Sequence, residues 1–167
     1  NRLLMLARSD SGTIEINKQP VDLKPWFAQI LKPYDDIAAS QHKSMVTVLK
    51  ADGTGHMDKD LIRQLLIILL DNAIKYTPAG GTVTVMTALA RDRLTIEVRD
   101  TGTGIPDEDK KRIFERFYRS DKSRNSKTGG KGLGLAIAKW IVQQHSGTIT
   151  VKDNHPKGTV FSVSLKI

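Results

Sequence analysis

The chain has 167 residues, 39% apolar and 26% charged, enough for one globular domain with a substantial core. It has no cysteine, which excludes disulfides, thiol catalysis and thiolate metal sites. Its net charge of +8 is concentrated, because eight Lys or Arg and two acids between Lys111 and Lys131 supply +6 of the excess. A nucleic-acid-binding domain spreads such charge over a face or stripe. A short basic segment rich in Ser, Asn and Gly suits a small polyanion, or is simply a solvated loop.

In chain order, Leu3-Leu4-Met5-Leu6 followed by polar Arg8-Ser9-Asp10 predicts either the last turns of a helix that begins upstream or an ordinary first helix. Thr13 to Val21 predicts an edge strand, since Pro20 disfavours a central position. Asp22 is placed to cap a helix over Leu23 to Ser40, with Pro25 in its first turn and Pro33 expected to kink or split it. Lys43 to Ala51 alternates into Asp52-Gly53, a hairpin signal, with a return strand near His56. Asp58 caps a helix over Lys59 to Tyr76, whose Leu65–Leu70 run is apolar all round, which predicts a central position. At six residues that run is far short of a membrane span, and no signal or transit peptide is evident.

Alternating strands follow at Thr82 to Leu89 and Arg93 to Asp100, then a short helix near Asp107 to Phe114 and the basic segment. A helix over Gly132 to His145, stopped by Gly147, precedes strands at Thr148 to Lys152 and Thr159 to Ile167. The order predicts an α+β fold, a two-layer sandwich of mostly antiparallel sheet with helices on one face.

Three stretches carry chemistry. In Leu94-Thr95-Ile96-Glu97-Val98-Arg99-Asp100 the alternation puts Asp100 on the inward face with Leu94, Ile96 and Val98. A carboxylate there is costly unless something donates to it. Gly102 and Gly104 follow at once and let the backbone turn or approach a ligand. A strand ending in an Asp-Gly turn would read the same way. On the central helix Asn72, Lys75 and Tyr76 stand at i, i+3 and i+4 and share a face with Ile68. An amide oxygen, an ammonium and a ring directed together suit a magnesium ion, a phosphate and a base, although a helix emerging into solvent gives the same pattern. Gly129-Gly130-Lys131-Gly132-Leu133-Gly134-Leu135 runs into a helix whose N–H groups attract anions, but it lacks the Gly-Lys-Ser/Thr ending of a P-loop, and an ordinary glycine-rich loop reads the same way.

Taken in order, Asn72-Ala73-Ile74-Lys75-Tyr76, Asp100-Thr101-Gly102-Thr103-Gly104-Ile105-Pro106, Phe114-Glu115-Arg116-Phe117 and Gly130-Lys131-Gly132-Leu133-Gly134-Leu135 resemble four known boxes. These are the N, first glycine, F and second glycine boxes of the ATP-binding domain of bacterial sensor histidine kinases. The resemblance spans about Val21 to Ile167 and implies the Bergerat fold shared with gyrase- and MutL-type ATPases. It implies ATP and Mg2+ as ligands, with Asn72 on the metal, Lys75 on a phosphate and Tyr76 near adenine or ribose. Asp100 would accept from the adenine amine, backed by Thr159, and Gly102, Gly104 and Ile105 would line the pocket. Gly130, Lys131, Gly132, Leu133, Gly134 and Leu135 would hold the triphosphate. Phe117, Tyr118, Arg119 and Lys122 would line its lid, with Arg119 at the γ-phosphate.

One departure is Ile68, where the family commonly has Asn and the related ATPases a water-activating Glu. Isoleucine neither ligates metal nor acts as a base, so metal binding should rest on Asn72 and hydrolysis should be slow. No histidine matches the family's phosphoacceptor motif; His42, His56, His145 and His155 read as surface residues, His145 in a helix's last turn. The expected division is residues 1–11 as the end of a dimerisation helix and residues 12–167 as the catalytic domain. The resemblance implies transfer of the γ-phosphoryl group to a histidine on a separate dimerisation and phosphoacceptor domain, with a response regulator downstream. It also implies a cytoplasmic domain of a membrane-anchored receptor, monomeric as a fragment, without nucleic acid or direct membrane contact. The competing expectations are an ATP-hydrolysing gyrase- or MutL-type enzyme and an anti-sigma-like nucleotide-binding module. The segment Ser120 to Gly129, with little apolar content, is expected to be mobile without nucleotide.

Overall fold

The computed structural model describes residues 2–119 and 132–167, and the expectations for Lys122, Gly130, Lys131 and the Ser120–Gly129 segment lie outside those residues. The chain runs through α1 (Arg2–Asp10), β1 (Gln19–Asp22), α2 (Leu23–Ser40), β2 (Ser44–Leu49), β3 (Thr54–Met57) and α3 (Lys59–Tyr76). It continues through β4 (Thr82–Ala90), β5 (Arg93–Asp100), α4 (Asp107–Lys110), α5 (Gly134–Gln144), β6 (Thr148–Asp153) and β7 (Thr159–Lys166).

The main sheet has the order β2-β4-β5-β7-β6. Only the β2–β4 pair is parallel. Alternation does what the sequence predicts: Val83, Val85, Leu94, Ile96, Val98, Phe161, Val163 and Leu165 are buried, while Thr95 and Arg99 on the other face are exposed. The buried face packs on α3 and α5, and these helices supply Leu65, Leu66, Leu69, Ile137 and Ile141 to a single core. The two-layer architecture is the one expected, with a mostly antiparallel sheet. Asp58 caps α3 as expected, its Oδ1 accepting from the N–H groups of Asp60 and Leu61 at 3.1 Å. Beyond its first turns the helix is buried nearly all round, with Lys59, Asp60, Arg63, Gln64 and Asp71 left exposed.

Several expectations need correction. The strand at Thr13 to Val21 is confined to Gln19–Asp22 and pairs with β3, placing Pro20 opposite His56. The Asp52-Gly53 turn forms, with Gly53 N–H bonded to Asp52 Oδ1 at 2.9 Å, but it joins no hairpin. β2 leaves the turn for the main sheet and β3 for the small one, because β4 takes the edge hydrogen bonds of β2. Asp22 makes no side-chain cap; the Leu23 N–H goes to the Gly53 carbonyl at 2.9 Å. Pro33 does not split α2, because it lies on the exposed side and the apolar face continues past it through Leu31, Tyr34 and Ala38. The carbonyl that Pro33 cannot satisfy therefore faces water rather than the core. The short helix after the first glycine cluster stops at Lys110 and continues as turns, and α5 starts two residues later than expected, at Gly134.

His145 also needs correction. It is wholly buried: Nε2 accepts from the Asp58 N–H at 3.1 Å, and Nδ1 lies 2.9 Å from the Ile141 carbonyl. One ring nitrogen accepts and the other donates, which fixes a neutral tautomer. Burial pushes its pKa below the usual histidine value, and nearby Lys18 adds to this, although the Ile141 carbonyl and Asp58 oppose it. The residue joins the end of α5 to the start of α3 and so holds the two helices under the site in register.

Candidate nucleotide site

The end of β5 delivers Asp100 into the helix–sheet layer, where it is 4% exposed. Its Oδ1 accepts from the backbone N–H of Gly102 at 2.9 Å and of Thr159 at 3.1 Å. Among the described residues no hydrogen bond falls on Oδ2, yet no fully buried side-chain polar atom there lacks a partner. That second oxygen therefore opens onto accessible space. Burial raises the Asp100 pKa, and the two backbone donors pull it back. A carboxylate anchored through one oxygen and open at the other is a directed acceptor.

The anchor is built from the β6–β7 turn. The Asn154 side-chain amide donates to the Asp100 carbonyl at 2.7 Å, and its own N–H bonds the Gly158 carbonyl at 2.9 Å. Gly158 has φ +107°, and a Cβ there would lie 1.9 Å from the Asp100 carbonyl oxygen, so only glycine permits this approach. Thr159 is buried and reaches Asp100 through its backbone N–H. Sequence reading missed Asn154 and the part played by Gly158. The Asp153-to-Gly158 segment reads as an ordinary turn, and its contact with Asp100 spans more than fifty residues.

The face of α3 that carries Ile68, Asn72, Lys75 and Tyr76 runs between the two glycine clusters. At one end the Tyr76 carbonyl packs on Gly102, where a Cβ would stand 2.4 Å away. At the other, Ile68 Cγ2 packs on Gly134, 3.4 Å from a Cβ built there. Asn72 and Lys75 lie between these contacts, both half-buried. Among the described residues no hydrogen bond falls on the Asn72 amide, and the Lys75 ammonium sits 5.1 Å from the centre of the Tyr76 ring. Ile68 itself is buried at 6% exposure, which leaves no water-activating group at that position.

The F segment closes the far side. Phe114 packs edge-on against Phe161, with ring centres 6.3 Å apart. Phe117 takes φ +64° and donates its N–H to the Gly132 carbonyl at 2.9 Å. A Cβ on Gly132 would meet the Phe117 carbonyl carbon at 2.7 Å, so the two backbones share one cradle. Tyr118 is fixed by its hydroxyl to Asp109 and by Arg112, 4.6 Å above its ring. Arg119 follows, half-buried. Ile105, Leu133 and Leu135 belong to or pack against the core beside the site. Gly104 stands by the Gly158 carbonyl. The described parts of all four boxes thus converge on one region.

A two-layer sandwich with a directed buried carboxylate, glycine-lined backbone and a helix N-terminus defines a nucleotide-binding domain. The family of histidine kinase-, DNA gyrase B- and HSP90-like ATPases matches residues 57–167, and the chain belongs to it. The sensor protein CiaH of Streptococcus pneumoniae serotype 4 is 42% identical over 166 residues, covering 99% of this chain and 37% of that protein. Sensor histidine kinase WalK of Bacillus subtilis is 38% identical over 168 residues, covering 99% of this chain and 27% of its own length. Among solved structures, full-length ShkA in complex with AMPPNP superposes with a TM-score of 0.86 at 27% identity, covering 99% of this chain and 34% of that one. The chain spans roughly a third of the curated relatives it matches and corresponds to the ATP-binding catalytic domain of sensor histidine kinases.

Proposed function

We propose that this domain binds Mg-ATP and donates the γ-phosphoryl group to a histidine on a dimerisation and phosphoacceptor domain of the same receptor, which then serves a response regulator. The observation that carries the reading is the state of Asp100: one oxygen held by two backbone N–H groups, the other open. An exocyclic amine on a purine is the donor such an oxygen selects, and adenine rather than guanine presents one at the matching edge. Tyr76 and Ile105 flank that end, and Lys75 reaches from α3 toward the phosphates.

The chain also fits magnesium. Among the described residues no cluster of three or more His, Cys, Asp or Glu side chains could hold a metal. The free amide oxygen of Asn72 offers one ligand, and phosphate and water would complete an octahedral shell. Bound there, the ion would neutralise charge on the phosphates. The protein's own work is positioning: α5 and Gly132–Leu135 present N–H groups to the phosphates, and Arg119 supplies a cation beside the transferring group. Ile68 offers no base, so water is a poor nucleophile here and histidine the intended one. We read α1 as the end of the dimerisation helix and the domain as lying on the cytoplasmic side of a membrane-anchored receptor. No helix among the described residues is long and apolar enough to cross a membrane.

The test is to incubate the chain with a phosphoacceptor helix pair and γ-labelled Mg-ATP. Acid-labile phosphohistidine is expected. Its absence, or steady release of free phosphate by the domain alone, would favour the hydrolytic reading instead.

A further inference from the structure

On α1 the residues Arg2, Leu6 and Asp10 stand at i, i+4 and i+8, so they form one stripe along the helix. All three touch the site's surroundings. A guanidinium nitrogen of Arg2 lies 3.1 Å from a Cβ built on Gly134, in the first turn of α5. Leu6 is 2% exposed and belongs to the core. Asp10 takes the Arg116 guanidinium through both oxygens, each contact 2.6 Å. This side-chain bond to Arg116 holds the Asp10 carboxyl below its usual range.

Two features set the Asp10–Arg116 pair apart from an incidental surface contact. An aspartate in the last turn faces the negative pole of its own helix, so it gains nothing from position and needs a cation from outside. The fork geometry also uses both carboxylate oxygens, which fixes direction as well as distance. Arg116 adjoins Phe117, whose N–H bonds the Gly132 carbonyl at 2.9 Å. A continuous path therefore runs from α1 through Asp10, Arg116 and Phe117 to the second glycine cluster, and α1 touches that cluster again through Arg2.

We propose that α1 is a strut across the phosphate end of the site, and that the Asp10–Arg116 pair is a positioning contact that sets where the Phe117–Arg119 segment stands for phosphotransfer. Among the described residues no contact of the stripe reaches Asp100, so the pair acts on the phosphate end and leaves the adenine end untouched. The inference rests on the phosphotransfer reading above and names a positioning contact for it.

The test compares the chain with Asp10→Arg, Arg116→Asp and the two combined, by three measurements: amide exchange at Phe117, Mg-ATP affinity by calorimetry, and phosphorylation of a supplied phosphoacceptor helix pair. Both residues are about half exposed, so each single change should fold and should act by about two- to fivefold. Exchange at Phe117 should rise and phosphotransfer should fall by that factor in each single variant, while ATP affinity stays within about twofold. The combined variant, which restores the opposite charges, should return both quantities toward the parent values. Unchanged exchange and transfer in the single variants would overturn the proposal, and so would losses that the combined variant does not recover. If the parent chain yields no phosphohistidine, the kinase reading fails; the exchange measurement then decides the strut alone, recovery supporting it and no response overturning it.

Discussion

The two ends of the site are built on different principles. At the adenine end, Asp100 is held by backbone groups of Gly102 and Thr159 inside the core, and the Asp100 carbonyl is held by Asn154. Nothing there depends on a long side chain. At the phosphate end the fixed elements are Gly132 and the start of α5, while the charged groups sit on exposed or half-exposed side chains such as Arg116 and Arg119. A buried acceptor set by backbone is pre-organised and suits discrimination between bases. Long cations on a segment tied to α1 can change position at small cost, and that suits a step to be switched on and off.

The sharpest way to break this contrast is at Gly158. An alanine there must adopt φ near +107° and place its Cβ against the Asp100 carbonyl, so the turn or β5 must move. We expect a loss of about 3 kcal/mol in urea unfolding, together with loss of ATP binding. A loss below about 1 kcal/mol would mean the adenine end is not rigidly held. At the other end, Arg119→Ala should slow phosphotransfer by roughly ten- to a hundredfold and weaken ATP binding by much less, which single-turnover kinetics and calorimetry separate. Equal losses would make Arg119 only a binding residue.

A smaller effect tests the platform beneath both ends. Buried His145 is neutral in the folded protein, with its pKa below the usual 6.5, whereas the unfolded chain binds a proton near that value. Stability is therefore complete above pH 6.5 and falls as the pH drops through that value toward the folded pKa, by at most about 1.4 kcal/mol per pH unit. Thermal melting between pH 7.5 and 5.5 should show this fall, and His145→Gln should reduce it. A pH-independent melting temperature would contradict the buried neutral assignment.

Local patterns made much of this legible. Period-two runs gave β4, β5 and β7 within a residue or so, and Asp58 with its apolar follow-on gave α3 to the residue. Asp100 was visible because a carboxylate on an inward stripe is a conflict that something must resolve. What stayed hidden depended on partners distant in sequence. Asp52-Gly53 marks a reversal but not which sheet each strand joins. Pro33 signals a break only if its side of the helix is buried. His145 looks like a surface residue at a helix end until α3 places the Asp58 N–H against it. The Asp10–Arg116 pair, separated by more than a hundred positions, carries no local signal at all.

The central claim is that the open oxygen of Asp100 selects the nucleotide. Calorimetric titration of Mg-ATP into the chain and into Asp100→Asn tests it directly. Replacing a charge-assisted bond with a neutral one should weaken binding by about ten- to a hundredfold. Melting at pH 7 should not fall, because burial already penalises the ionised carboxylate and the amide removes that cost. Unchanged affinity in a folded Asp100→Asn variant would contradict the account.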